Sequence, residues 1–87
     1  MVKENKTEGI QTMDINTFVD QCAEQFEELN QMLTAETSFR DIPSWGSLTA
    51  LSIIAMVDEE YGVTLTGDDI KSSKTIQDLF DKTAAKK

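Results

Sequence analysis

The sequence predicts an all-α fold: a small four-helix bundle of three longer helices and one short helix, with a long loop after the first. Three observations predict it. Apolar residues recur at helical spacing from Ile15, a segment from Ser47 to Tyr61 is apolar over most of its girth and closed by Gly62, and Thr75 opens a last run with one apolar face. The only strand-like stretch, Val63-Thr64-Leu65-Thr66, has no second strand to pair with and reads as a packed loop.

Taken in order, residues 1–12 are polar and aperiodic and read as a flexible leader, either native or added ahead of an internal start at Met13. The helical domain spans residues 13–84, and residues 85–87 read as a frayed tail. In the first helix Ile15, Phe18, Val19, Cys22, Phe26 and Leu29 share the apolar side, Asp20, Glu24, Glu27 and Glu28 take the other faces, and Asp14 or Asn16 supplies a cap. The connection from Asn30 to Gly46 is long for a compact domain, so it needs its own anchors. Met32, Leu33, Phe39, Ile42 and Trp45 supply them, and Pro43 disfavours helix at Ile42.

The helix from Ser47 or Leu48 to Tyr61 carries Leu48, Leu51, Ile54, Ala55 and Asp58 on one side. Ile53, Met56, Val57 and Tyr61 widen the apolar surface beyond a single stripe, which suits either a central core helix or one that also lines a ligand. Gly67 to Ile70 forms a short helical turn with acids at its start, and Ile76, Leu79 and Phe80 give the last helix its apolar face. Met56 and the aromatic residues read as core, as does Met32.

Composition excludes several kinds of function. Eighty-seven residues allow one small domain, and a lone Cys22 with no histidine rules out an internal disulfide and a Cys-His nucleophile pair. No metal is expected: Asp68 and Asp69, with Asp58, Glu59 and Glu60, lack calcium-loop spacing. No apolar run is long enough to cross a bilayer and the N-terminal residues lack a secretory pattern, so a cytoplasmic monomer is the expectation. The net charge is −8, and between Met13 and Asp69 the only base is Arg40, which disfavours nucleic acid and anionic membranes and favours basic protein partners.

Ser47 is the residue on which function turns. It sits between the Pro43-Ser44-Trp45-Gly46 turn and an apolar helix, where unpaired N–H groups and the macrodipole favour a phosphate. It can equally serve as a helix cap, since serine is preferred there. Without histidine as a base its hydroxyl is a weak nucleophile, so chemistry at Ser47 falls to another enzyme.

The stretch WGSLTALSIIAMVDEEYGVTLTGDDI, preceded by Glu36-Thr37-Ser38-Phe39, resembles the acyl carrier protein family over roughly residues 14–83, with Gly46 where that family usually has aspartate. The resemblance implies a non-catalytic carrier in fatty-acid or related lipid metabolism. It also implies that a phosphopantetheinyl transferase attaches 4'-phosphopantetheine covalently to Ser47 by metal-assisted transfer from coenzyme A. An acyl or aminoacyl group is then held as a thioester and passed to acyl-transferring or synthase enzymes with basic docking patches. By the same resemblance Leu48, Asp58, Glu59 and Glu60 meet partners, while Leu51, Ile54, Ala55, Leu65 and Ile70 line the acyl chain. The other reading, from a different class, is an unmodified carrier-fold interaction module that binds basic proteins through Asp58 to Glu60.

Overall fold

The computed structural model describes residues 14–26, 29 and 31–87; the leader expected over residues 1–12 lies outside them. Within these residues the chain forms α1 (Ile15–Ala23), a single 3-10 turn (Phe39–Asp41), α2 (Ser47–Tyr61), α3 (Gly67–Lys71) and α4 (Ile76–Lys86). α1 packs against both α2 and α4, and α3 against α4. This is the predicted architecture, three longer helices and a short one.

α1 starts where expected, with the Asp14 carboxylate accepting from the Thr17 backbone N–H. It ends sooner than its periodicity suggests. The Gln25 and Phe26 N–H groups donate to carbonyls only three residues back, on Cys22 and Ala23, so the helix tightens into a turn after Ala23. The turn sets the Phe26 ring against Trp45, with ring centroids 6.1 Å apart. Phe26 and Leu29 therefore join the core from outside the helix, and Glu27 and Glu28 lie outside the described residues.

The core is contiguous. Phe18, Phe39, Ile53, Val57, Ile76 and Leu79 are fully enclosed, and the Phe18 ring meets Tyr61 and Phe80 with centroids 5.8 and 5.4 Å away. Cys22 is buried in it, and burial pushes its thiol up to about 12, which keeps it protonated and unreactive at neutral pH. Burial likewise raises Tyr61, with the charges of Cys22, Glu60 and Asp14 as smaller causes; its hydroxyl donates to the Gln21 side-chain carbonyl.

The long connection is held as predicted by Leu33, Phe39 and Ile42, all buried, and by half-buried Trp45, whose ring lies tilted against Phe39 with centroids 4.7 Å apart. Met32 departs from expectation: it is 86% exposed, and its neighbour Leu33 is the residue of that bend that is buried. Carbonyls of Ala35 and Thr37 accept from the Gln77 and Ile76 N–H groups, so the loop also seals the first turn of α4.

Val63 and Leu65 are buried in the packed loop after α2, which Gly62 closes with φ of 66°, a left-handed cap that glycine adopts without strain. The C-terminal residues also differ from expectation. Lys86 extends α4, pairing with Asp69 at 2.7 Å and donating to the Thr64 carbonyl, while Lys87 donates to the Tyr61 carbonyl. Two ammonium groups reaching backbone carbonyls and a carboxylate tie down the segment expected to fray.

Candidate functional site

Four helix N-termini are described, and one is built differently. Asp14 caps α1, and α3 and α4 each begin with a capping box, Thr66 with Asp69 and Thr75 with Asp78. Hydrogen bonds from the Lys86 side chain and then the Thr66 backbone pull Asp69 down to about 2; bonds from the Lys74 and Thr75 backbone N–H groups lower Asp78. Asp69 thus both caps α3 and pairs with the Lys86 ammonium.

At α2 the cap position falls on Gly46, which brings no side chain to the task. Ser47 is the first helical residue, so it does not fill the cap role that its type suggests. Its hydroxyl is exposed and makes no hydrogen bond among the described residues. Nor do the first-turn N–H groups of Ser47, Leu48 and Thr49 have an acceptor there. The turn is braced from behind, where buried Thr49 donates its hydroxyl to the Ser44 carbonyl at 3.2 Å.

Gly46 is not needed for backbone conformation. Its φ of −172° is ordinary extended backbone, and a Cβ there would meet nothing within 4 Å. A side chain at position 46 is therefore sterically open.

Ser47 stands on a ridge between two grooves. On one side an open cleft of about 560 Å³ is lined by Leu51, Ile54 and Ile70, with Trp45 and Ala50 completing its apolar wall. Arg40 and Lys71 stand at the same cleft. On the other side a slightly smaller groove of about 490 Å³ is formed by Gln25, Ser44, Leu48, Thr49 and Ser52. A third groove of about 440 Å³, against α1, takes Ala55, Met56, Glu59 and Glu60 along its α2 wall.

The structure thus brings Ser47, Leu51, Ile54 and Ile70 together. It separates the other two residues assigned to the acyl lining: Ala55 faces the α1 groove, and Leu65 is enclosed in the core. The helical geometry explains the split: Ser47, Ala50, Leu51 and Ile54 follow the i, i+3, i+4, i+7 spacing of one face of α2, whereas Ser52, Ala55, Met56 and Glu59 follow that of another. Leu48 and Leu51 are left 80% and 61% exposed. Asp58, Glu59 and Glu60 are all exposed in the last turns of α2.

Sequence reasoning missed Arg40 and Lys71 as parts of this site. The Arg40 guanidinium crosses from the 3-10 turn to α3, where one terminal nitrogen donates to the Ile70 carbonyl at 2.8 Å and also to the Lys71 carbonyl. A cation on the last carbonyls of a helix complements its dipole. The available signal was its isolation as the lone base between Met13 and Asp69.

Chemically, Ser47 offers an accessible hydroxyl but no base: the titratable residues lining its cleft are the cations Arg40 and Lys71.

Comparison with known proteins agrees with this geometry. Residues 16–81 match the family model described as the phosphopantetheine attachment site. No curated protein sequence matches the chain. Among solved structures, the solution NMR structure of the holo acyl carrier protein from Geobacter metallireducens superposes with a TM-score of 0.67 at 25% identity, covering 83% of each chain. The order of helices, the bare serine that opens α2 and the match across most of the domain have one explanation: the chain belongs to the acyl carrier protein family, a phosphopantetheine-attachment domain whose cofactor is covalently bound 4'-phosphopantetheine.

Proposed function

We propose that this protein carries an acyl or aminoacyl group as a thioester on 4'-phosphopantetheine attached to Ser47 and delivers it to partner enzymes. The observation that carries the proposal is the state of Ser47: an exposed, unbonded hydroxyl at the only α-helix start without a side-chain cap among the described residues. A covalently attached phosphate fits there, because the free N–H groups of the first turn and the positive end of the α2 dipole favour an anion. When bound, the group supplies a thiol at the end of a long arm, where a carboxylic acid is held in activated form.

The chain's own residues present and shelter that cargo. Leu51, Ile54 and Ile70 offer an apolar wall next to Ser47, suited to shielding an alkyl chain from water. Leu48 at the start of α2 and Asp58, Glu59 and Glu60 at its end flank the attachment point along one helix, an apolar contact followed by negative charge for a basic partner surface. Rim charges of this kind speed encounter more than they tighten it, which suits a carrier that must leave after each transfer.

Incubation with coenzyme A, magnesium and a broad-specificity phosphopantetheinyl transferase, followed by intact mass, tests the attachment. One added phosphopantetheine on the wild type and none on Ser47→Ala is the expected result. Equal gain in both would move the attachment elsewhere, and no gain in either, with a known carrier modified in the same tube, would favour an unmodified interaction module.

A further inference from the structure

We infer that Arg40 and Lys71 hold the phosphodiester of the arm and thereby direct it into the α2–α3 cleft instead of the groove on the other side of Ser47. The inference rests on attachment at Ser47. It begins from an asymmetry: Ser47 borders two grooves of similar size, but both cations line only one of them. The opposite groove is lined by Gln25, Ser44, Gly46, Leu48, Thr49 and Ser52 and carries no charge.

In a chain with 16 acids and 8 bases, two cations meet at one apolar cleft, where Arg40 also satisfies the last carbonyls of α3. Neither forms an ion pair with a carboxylate among the described residues. Arg40 uses one terminal nitrogen on the Ile70 and Lys71 carbonyls, which fixes the guanidinium plane against the end of α3. Its other terminal nitrogen and its Nε have no acceptor among the described residues. A guanidinium fixed on one edge and open on another matches two oxygens of a phosphodiester. Lys71, exposed at the same cleft, adds a point charge.

The anion has to be there because the Ser47 Oγ becomes one of its ester oxygens, so its phosphorus stays one bond from the residue that opens the cleft. Gly46 contributes by omission. An acidic side chain at the cap would set a carboxylate beside the phosphodiester and compete for the same cations, whereas glycine leaves them to the arm.

Phosphorus NMR of the loaded protein reads this directly, since the phosphodiester is its only phosphorus. In the folded wild type the resonance should be displaced from its position in the same molecule denatured in urea, and roughly 1 M salt should shrink the displacement. Lys71→Gln and Arg40→Gln should each reduce it, Arg40→Lys should retain part of it, and Lys74→Gln, outside the cleft, should leave it unchanged. On loading, amide shifts should concentrate on Ala50, Leu51 and Ile70 in the wild type and spread to Gln25 and Ser52 in the glutamine variants. The Lys71 side chain makes no hydrogen bond or ion pair among the described residues, so its variant stays informative if Arg40→Gln loosens α3. A resonance and amide pattern identical in wild type and both glutamine variants, all shown by mass to carry the arm, would overturn the inference. Absence of the arm from the wild type would overturn the Ser47 reading and this inference with it.

Discussion

The starts of α2 and α4 solve the same physical problem in opposite ways. At α4 the Thr75 hydroxyl accepts from the Asp78 N–H, the Asp78 carboxylate accepts from the Lys74 and Thr75 N–H groups, and carbonyls of Ala35 and Thr37 take the Gln77 and Ile76 N–H groups. Every early donor has a partner. At α2 the cap is Gly46 and the Ser47, Leu48 and Thr49 N–H groups have none among the described residues. A helix end left open is unfavourable unless packing holds the helix elsewhere and something outside the chain uses the end. α2 is held by its body, through Ile53, Met56, Val57 and Tyr61, which frees its first turn to carry a group.

The largest expected effect concerns that group. Ser47→Ala should abolish loading in a mass assay yet keep the urea midpoint of the wild type, because an exposed hydroxyl without a hydrogen bond contributes little, within about 0.5 kcal/mol. Loss of fold in this variant would mean that the first turn is structural after all.

Next is the division between the body of α2 and its surface. Ile53→Ala should cost about 2–5 kcal/mol in urea unfolding, since Ile53 is fully enclosed, whereas Leu51→Ala at 61% exposure should change stability by no more than about 0.5 kcal/mol. Comparable losses at the two positions would contradict the assignment of Leu51 to the cleft.

The sequence was clear about some of this and silent about the rest. Gly62, Thr75 and the anchoring of the loop by Phe39 and Ile42 were legible because each signal is local: a left-handed cap, a cap hydroxyl, a buried ring beside a proline. α2 was harder. A helix apolar around its girth does not declare which side faces inward, so Ala55 was grouped with Leu51 and Ile54 although it opens onto the α1 groove. The periodicity through Phe26 reported burial correctly but not helix, since that residue is packed from the turn after Ala23, and Leu29 is partly buried against the core outside any helix. Arg40 reaching the end of α3 could not be read at all, because its partners lie about thirty residues away and bind through backbone carbonyls that carry no sequence signature.

The sealed ends allow smaller tests. Thr66→Ala and Thr75→Ala should each cost about 1 kcal/mol, the usual loss of a capping hydroxyl. Their partner acids give a pH dependence of known sign. Asp69 and Asp78 are both held below the ordinary carboxylate value of 3.8, so the contribution of each is present above that value and is lost on acidification, that of Asp69 as pH falls towards 2. Urea titrations across that window should show falling stability in the wild type and a shallower fall in Asp69→Asn. The smallest effect is at the open end, where Gly46→Asp should add about 0.3 kcal/mol, because the position is sterically open and an aspartate there can accept from the first turn. A destabilised Gly46→Asp protein would show that glycine is required by the fold.

The most direct test of the central claim is to locate the added mass. After loading, trypsin cuts at Arg40 and Lys71 release a segment that holds Ser47 together with Ser44, Thr49, Ser52, Tyr61, Thr64 and Thr66 as competing hydroxyls. Fragmentation of that peptide should place a single phosphopantetheine on Ser47. Its appearance on one of the neighbouring hydroxyls, or on no residue of the segment, would contradict the account.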